Sequence, residues 1–327
     1  MRIAITGSIA TDHLTTFPGR FAEHLVGGQL DKISLSFLVD DLDVRRGGVA
    51  ANICFGLARL GLRPLLVGAA GPDFTEYRAW LEKHGVDTES VHISATRQSP
   101  RFMCVTDRDL NQIASFYSGA MTEAREIDLR PLLDRVGGLD LLLVSPNDPA
   151  AMLRHTEQCR ELGVHFAADP SQQLARLEPE EVRSLVAGAG WLFTNEYESA
   201  LLQERTGWTH EQVLDRVGSW VTTKGADGVV IERAGEEPVL VGAVPARQTA
   251  DPTGIGDAFR AGFLAGIGWD WPVERSAQLG CTLATVVLES VGTQEYPLTA
   301  EDLTVRITEA YGSAVAEAIE PSLAKVS

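Results

Sequence analysis

The sequence predicts an α/β fold with a mainly parallel sheet and a small β-sheet lid. Three observations predict it. Short continuous apolar runs recur and end in polar residues, helical stretches separate several of them, and two segments with a different pattern interrupt the series. Continuous apolar runs suit strands covered on both faces, and their alternation with helices indicates βαβ units.

The run at 1–6 leads into Gly7-Ser8-Ile9-Ala10-Thr11-Asp12, and that at 140–144 into Ser145-Pro146-Asn147-Asp148. Those at 164–168, 191–194 and 220–223 lead into Asp169-Pro170-Ser171, Asn195-Glu196-Tyr197-Glu198 and Lys224-Gly225. Helical patterns occupy 150–162, 179–187 and 210–217. Open α/β sheets bind ligands beyond the carboxyl ends of their strands, where this chain repeatedly sets Asp, Asn, Thr and Ser. A polar cleft is expected there.

Two segments break the series. In 33–39, Ile33, Leu35, Phe37 and Val39 alternate with Ser34, Ser36 and Leu38. Runs at 101–106 and 112–117 flank a polar turn at 107–111. These read as antiparallel strands with one face less buried, forming a lid over the cleft. A β-extension with a purely structural role is the alternative. The division expected is a main domain of 1–11, 46–98 and 123–327, with a lid of 12–45 and 99–122.

The length of 327 residues allows one large or two unequal domains, and 44% hydrophobic with 22% charged residues is ordinary for a soluble globular chain. With 28 Lys+Arg against 45 Asp+Glu, the net charge of −17 argues against binding nucleic acid as a polymer. The lysines are Lys32, Lys83, Lys224 and Lys325, and none follows a glycine, which excludes a P-loop. Cys54, Cys104, Cys159 and Cys281 are scattered without a CxxC pair, as buried thiols in a reducing compartment would be. Neither a signal peptide nor an apolar run of about 18 residues is present, so the expected location is the cytoplasm.

The strongest chemical signal is Asp251-Pro252-Thr253-Gly254-Ile255-Gly256-Asp257, after an apolar stretch at 239–244 and before a helical pattern with Phe259 and Phe263 on one face. Glycines at 254 and 256 let several N–H groups point one way, and a helix N-terminus makes such groups an anion site. Asp257 at that positive end can take a proton from a hydroxyl nucleophile; an acidic helix cap is the plainer reading. A second glycine motif is Arg46-Gly47-Gly48-Val49-Ala50-Ala51-Asn52. There the backbone can approach a ligand closely, and Asn52 can both donate and accept.

Together these motifs resemble the ribokinase-like (PfkB) family of carbohydrate and nucleoside kinases. The resemblance also rests on Val67-Gly68, Asp73 and Gly85-Val86-Asp87, on Asn195-x-x-Glu198 and on Thr223-x-Gly225. Segments 34–41, 112–120 and 169–173 look most like the bacterial ribokinase-like adenosine kinases. The resemblance implies a three-layer α/β/α domain with a β-sheet lid, and transfer of a phosphoryl group from ATP to the 5′-hydroxyl of adenosine in purine salvage. Asp257 would be the base, and the N–H groups of Gly254, Ile255 and Gly256 would hold the transferring phosphoryl group.

Asn195, Thr223, Gly225 and Gly228 would bind the nucleotide, with Glu198 holding Mg²⁺ through water. Asp251, Ser290 and Gly292 match a monovalent cation site, usually K⁺. Asp12, Gly48 and Asn52 would hold the ribose hydroxyls, with Ser8 and Ser36 nearby. Phe102, Phe116 and Met121 would cover the base, and Gln172 and Gln173 would bind its edge. Pro252 and Ile255 depart from the usual Thr and Ala. The half-exposed lid sheet suggests a homodimer formed lid to lid. A sugar kinase is the alternative within the family; a catalytically silent binding subunit is the alternative outside it.

Overall fold

The computed structural model describes residues 1–24, 36–323 and 326. Thirteen strands occur among them. They are β1 (Ile3–Thr6), β2 (Ala10–Thr16), β3 (Asp41–Gly47), β4 (Leu65–Ala70), β5 (Val91–Ile93), β6 (Arg101–Thr106) and β7 (Gln112–Tyr117). The later ones are β8 (Leu141–Val144), β9 (Phe166–Ala168), β10 (Trp191–Asn195), β11 (Ser219–Thr223), β12 (Val229–Glu232) and β13 (Val239–Val241).

Nine strands form one sheet in the order β13-β12-β11-β10-β9-β8-β1-β4-β5. It is parallel from β5 through β11, and β12 and β13 close one edge antiparallel. Every residue of β1, β4 and β8 is buried, which is why these strands read as unbroken apolar runs.

Alternation along those strands shows three layers. Ile3, Ile5, Leu141, Leu143 and Phe193 point into one core, shared with Phe259 and Phe263 of the helix Ile255–Gly268. Ala4, Leu142, Val144 and Leu192 point into the other, shared with Met152 and Cys159 of the helix Pro149–Leu162. Successive side chains of a strand face opposite ways, so helices cover both faces of the sheet. On the first face a Cβ at Gly262 would lie 2.8 Å from the Gly280 Cα, so these two glycines let the helices Ile255–Gly268 and Val273–Leu288 pack backbone to backbone.

The second sheet has the order β3-β2-β6-β7. Its β6–β7 hairpin has the bounds expected, but two other strands differ from expectation. Of the strand expected at 33–39, residues 33–35 lie outside the described residues and 36–39 carry no strand; the edge strand is β3 instead. Phe37 packs against Phe17 at 4.6 Å and Phe21 at 5.4 Å. The sequence reading also missed β2, whose Thr11, Asp12 and His13 look like a polar loop. β2 carries polar side chains on both faces and β3 alternates Asp43 and Arg45 with Leu42 and Val44, so neither reads as a buried apolar run. Among the described residues, no helix is long and apolar enough to cross a membrane.

Candidate active site

Gly254 caps the helix Ile255–Gly268 in the left-handed conformation, with φ of 78°. A Cβ there would sit 2.8 Å from Thr293 Cγ2, so both backbone and space require glycine. The first intrahelical bond runs from Ala258 N–H to Gly254 O at 2.9 Å. The N–H groups of Ile255, Gly256 and Asp257 therefore have no partner within the helix, and they form an anion cup at its positive end. Asp257 lies in this first turn, and its Oδ2 accepts from Asn52 Nδ2 at 2.9 Å. Desolvation pushes its carboxyl up to about 7, against the pull of the Asn52 amide and the Arg260 guanidinium, while Asp169 and Asp12 add to the rise.

Beside the cup opens a cavity of about 1030 Å³, reached by the carboxyl ends of β10 and β11. It brings Asn195, Glu198, Thr223, Gly225 and Gly228 together with Ile255, Gly256 and Asp257. Asn195 and Glu198 also form a reciprocal capping box at the helix Glu196–Thr206: Glu198 N–H donates to Asn195 Oδ1, and Asn195 N–H to Glu198 Oε2, each at 2.8 Å. Glu198 Oε1 accepts from Ser171 Oγ at 3.2 Å.

Two features of this cavity went unseen in the sequence. Its apolar wall is built from Ala243, Pro245, Ala246, Ala284 and Leu288, small residues without a motif. Its floor holds Arg260, whose Nη2 donates to Asp169 Oδ1 at 2.7 Å, with Nε 2.5 Å from Oδ2. Arg260 Nη1 also donates to Gly256 O at 3.0 Å. The cation nearest the cup is thus committed to Asp169.

The small sheet carries a separate row of side chains. Asp12 is paired with Arg45 on one side and Phe102 on the other, and Phe102 with Phe116. Directly paired residues share a face, so Arg45, Asp12, Phe102 and Phe116 form one row. Phe102 is partly exposed and Phe116 47% exposed, so neither is a core residue of the hairpin. Desolvation raises the Asp12 carboxyl to about 6; Arg45 opposes this, and Asp251 and Glu295 reinforce it.

Gly48 has φ of 95°, and a Cβ on it would meet Ser8 O and Ala10 N at 2.6 Å. Ser8 Oγ accepts from Val49 N–H at 3.0 Å and so holds the start of the helix Val49–Arg59. Met121 is buried, Gln172 is exposed, and the buried Gln173 donates from Nε2 to Asn147 O at 2.7 Å. Ser36 is exposed and belongs to no strand.

At the expected monovalent-cation position the side chains already have partners within the chain. The Asp251 carboxylate accepts from Thr253 N–H at 2.9 Å and Gly292 N–H at 3.1 Å, and Arg45 Nη1 stands 3.6 Å away. Ser290 Oγ donates to Val286 O at 3.2 Å. Positive charge beside Asp251 comes from Arg45 of the lid.

Unpartnered N–H groups at a helix start, a buried carboxyl beside them and an adjoining cavity suit phosphoryl transfer, and comparison with known proteins points the same way. The family model of pfkB family carbohydrate kinases matches residues 23–300. The chain belongs to the pfkB family. As a PfkB kinase it transfers a phosphoryl group to an alcohol acceptor. A nucleoside kinase of Methanothermobacter thermautotrophicus is 32% identical over 252 residues, covering 76% of this chain and 80% of that one. An ATP-dependent ribose-1-phosphate kinase of Halopiger xanaduensis is 30% identical, covering 77% and 83%. The nucleoside kinase of Burkholderia thailandensis solved with inosine superposes with a TM-score of 0.82 at 32% identity, covering 95% of this chain and 98% of that one. The chain itself has the ribokinase-like plan, a large mostly parallel sheet with helices on both sides and a small lid sheet, and superposes on that solved kinase over nearly its whole length.

Proposed function

We propose that this PfkB kinase phosphorylates the 5′-hydroxyl of a purine nucleoside, with adenosine giving AMP and ADP in purine salvage in the cytoplasm. The observation that carries the reading is the row of Asp12, Phe102 and Phe116 on one face of the lid. A carboxylate that can bind ribose hydroxyls stands next to two aromatic faces that can stack on a base, a pairing that a bare sugar would not use. Likeness to two nucleoside kinases supports it, one of them holding inosine.

In this reading, the small sheet β3-β2-β6-β7 acts as the lid and closes over the acceptor. ATP lies in the cavity, with its base on the apolar wall and its phosphates at the cup. The oxygens of Asn195 and Glu198 suit Mg²⁺ held through water, an ion that supplies charge neutralisation on the phosphates. Asp257 takes the proton of the attacking hydroxyl.

A panel of adenosine, inosine, guanosine, cytidine, ribose, fructose and ribose 1-phosphate, assayed by ADP release, tests this. Adenosine is expected to lead; turnover of a sugar well above every nucleoside would overturn the reading, and inosine leading would change the base but not the class. Stacking contributes about 1–3 kcal/mol per base, so Phe102→Ala should raise the nucleoside KM roughly tenfold.

The opposite face of the lid sheet supports a homodimer. Leu42, Val44, Met103 and Ile113 lie on it and are 63%, 52%, 41% and 48% exposed. An apolar sheet face this open suits pairing with a second copy. Sedimentation velocity at micromolar concentration should give a dimer, and Leu42→Asp with Val44→Asp should give a monomer.

A further inference from the structure

Asp257 does not act from an isolated carboxylate. Its partner Asn52 is only 8% exposed and belongs to the helix Val49–Arg59, which packs directly against the helix that carries Asp257: a Cβ at Gly56 would lie 2.7 Å from Ala261 Cβ. An amide can present either its oxygen or its nitrogen to a neighbour, and the two choices have opposite effects on a carboxylate. Which one faces Asp257 is therefore a chemical question about what lies behind Asn52.

Behind it lies Gln294, 1% exposed, whose Nε2 is 3.0 Å from Asn52 Oδ1. Gln294 is itself an amide and could be turned, but Trp80 removes the choice. Trp80 Nε1 is 3.2 Å from Gln294 Oε1. An indole N–H is a donor and never an acceptor, so the end of Gln294 that faces it must be the carbonyl. The amino end of Gln294 then faces Asn52, which must present its carbonyl there and its amino group to Asp257. Tyr77 supports the same polarity: its hydroxyl donates to Gly47 O at 2.9 Å and so accepts from Gln294 Nε2 at 2.5 Å. Thr293 Oγ1 lies 2.9 Å from Asn52 Oδ1 and 3.0 Å from Arg46 O, and its one proton can go to either, so the polarity of the chain rests on Trp80 and Tyr77.

We propose that Trp80 and Gln294 are positioning residues for the catalytic base, forming with Asn52 a one-way chain of donors that keeps Asp257 ionised near neutral pH. Each hydrogen bond in the chain donates toward Asp257, and a donor on a carboxylate favours its anion. The other charged groups facing Asp257 are Arg260 from its own helix, Asp169 beyond β9 and Asp12 from β2. The two acids oppose ionisation, and the Asn52 amide and the Arg260 guanidinium favour it. This rests on Asp257 being the base of phosphoryl transfer, whatever the acceptor.

The test is the pH profile of kcat/KM, which reports the free enzyme's essential groups. In Gln294→Leu, Asn52 loses its enforced orientation, and the acidic limb should move to higher pH by about one unit. Rates at high pH should stay close to wild type. A lower rate with an unmoved limb would overturn the proposal, as would no change at all. Should Gln294→Leu not fold, Trp80→Phe decides: it removes one N–H, keeps the ring, and should move the limb in the same direction. An unmoved limb in that folded variant overturns the proposal. Absence of turnover by the wild type with every acceptor would instead count against the kinase reading itself.

Discussion

Asp257→Asn is expected to lower kcat by about 10²–10⁴-fold, the usual contribution of a positioned general base, with little change in nucleoside KM. The substitution keeps the shape of the side chain, and Asn52 Nδ2 can still donate to the new amide oxygen, as it does to Asp257 Oδ2 at 2.9 Å. What is lost is a group that can carry the hydroxyl proton away. The pH dependence separates this from a loss of geometry. Desolvation holds the Asp257 carboxyl at about 7, so the wild type has its base in the accepting, ionised form above that pH and loses it progressively below. The wild-type kcat/KM should therefore fall as pH drops through about 7. The residual activity of Asp257→Asn should lack that limb. Near wild-type turnover in the variant would remove Asp257 from the role.

Much of the fold was legible because it follows from local rules. Buried parallel strands leave continuous apolar runs, which located β1, β8, β9, β10 and β11, and the turn at 107–111 located the β6–β7 hairpin. Elements whose faces carry function are harder to read. In β3, Asp43 and Arg45 alternate with Leu42 and Val44, because the polar face looks toward the site and the apolar face is open. Alternation at 33–39 was the more conspicuous pattern, yet 36–39 carry no strand.

The site divides in the same way. The residues of the 251–257 motif were readable because a glycine-rich loop before a helix has one local meaning. Asn52, Tyr77, Trp80 and Gln294 meet only in the folded chain, and no spacing marks glutamine as a partner of asparagine. Asn52 was expected at the ribose; in the folded chain its amide donates to Asp257, a partner no spacing announced.

The scarcity of lysine posed the question of how an acidic chain holds a polyphosphate, and Arg260 bears on the answer. Its side chain and that of Asp169 are 8% and 2% exposed, so this pair is desolvated beside the cup. Removing one partner of such a pair strands the other charge, at a cost of about 3–5 kcal/mol, whereas removing both can be nearly neutral. Arg260→Met and Asp169→Leu should each lower the urea midpoint strongly, and the double variant should recover most of the loss. Turnover should behave differently. Arg260 Nη1 fixes the Gly256 carbonyl, and hence the direction of the N–H groups around it, so the double variant should remain slower by about 10–100-fold. If turnover returned together with stability, the pair would be only a structural tie. If stability returned and turnover did not, Arg260 is a strut for the cup, and its charge, held by Asp169, leaves the phosphates to the backbone N–H groups and the metal.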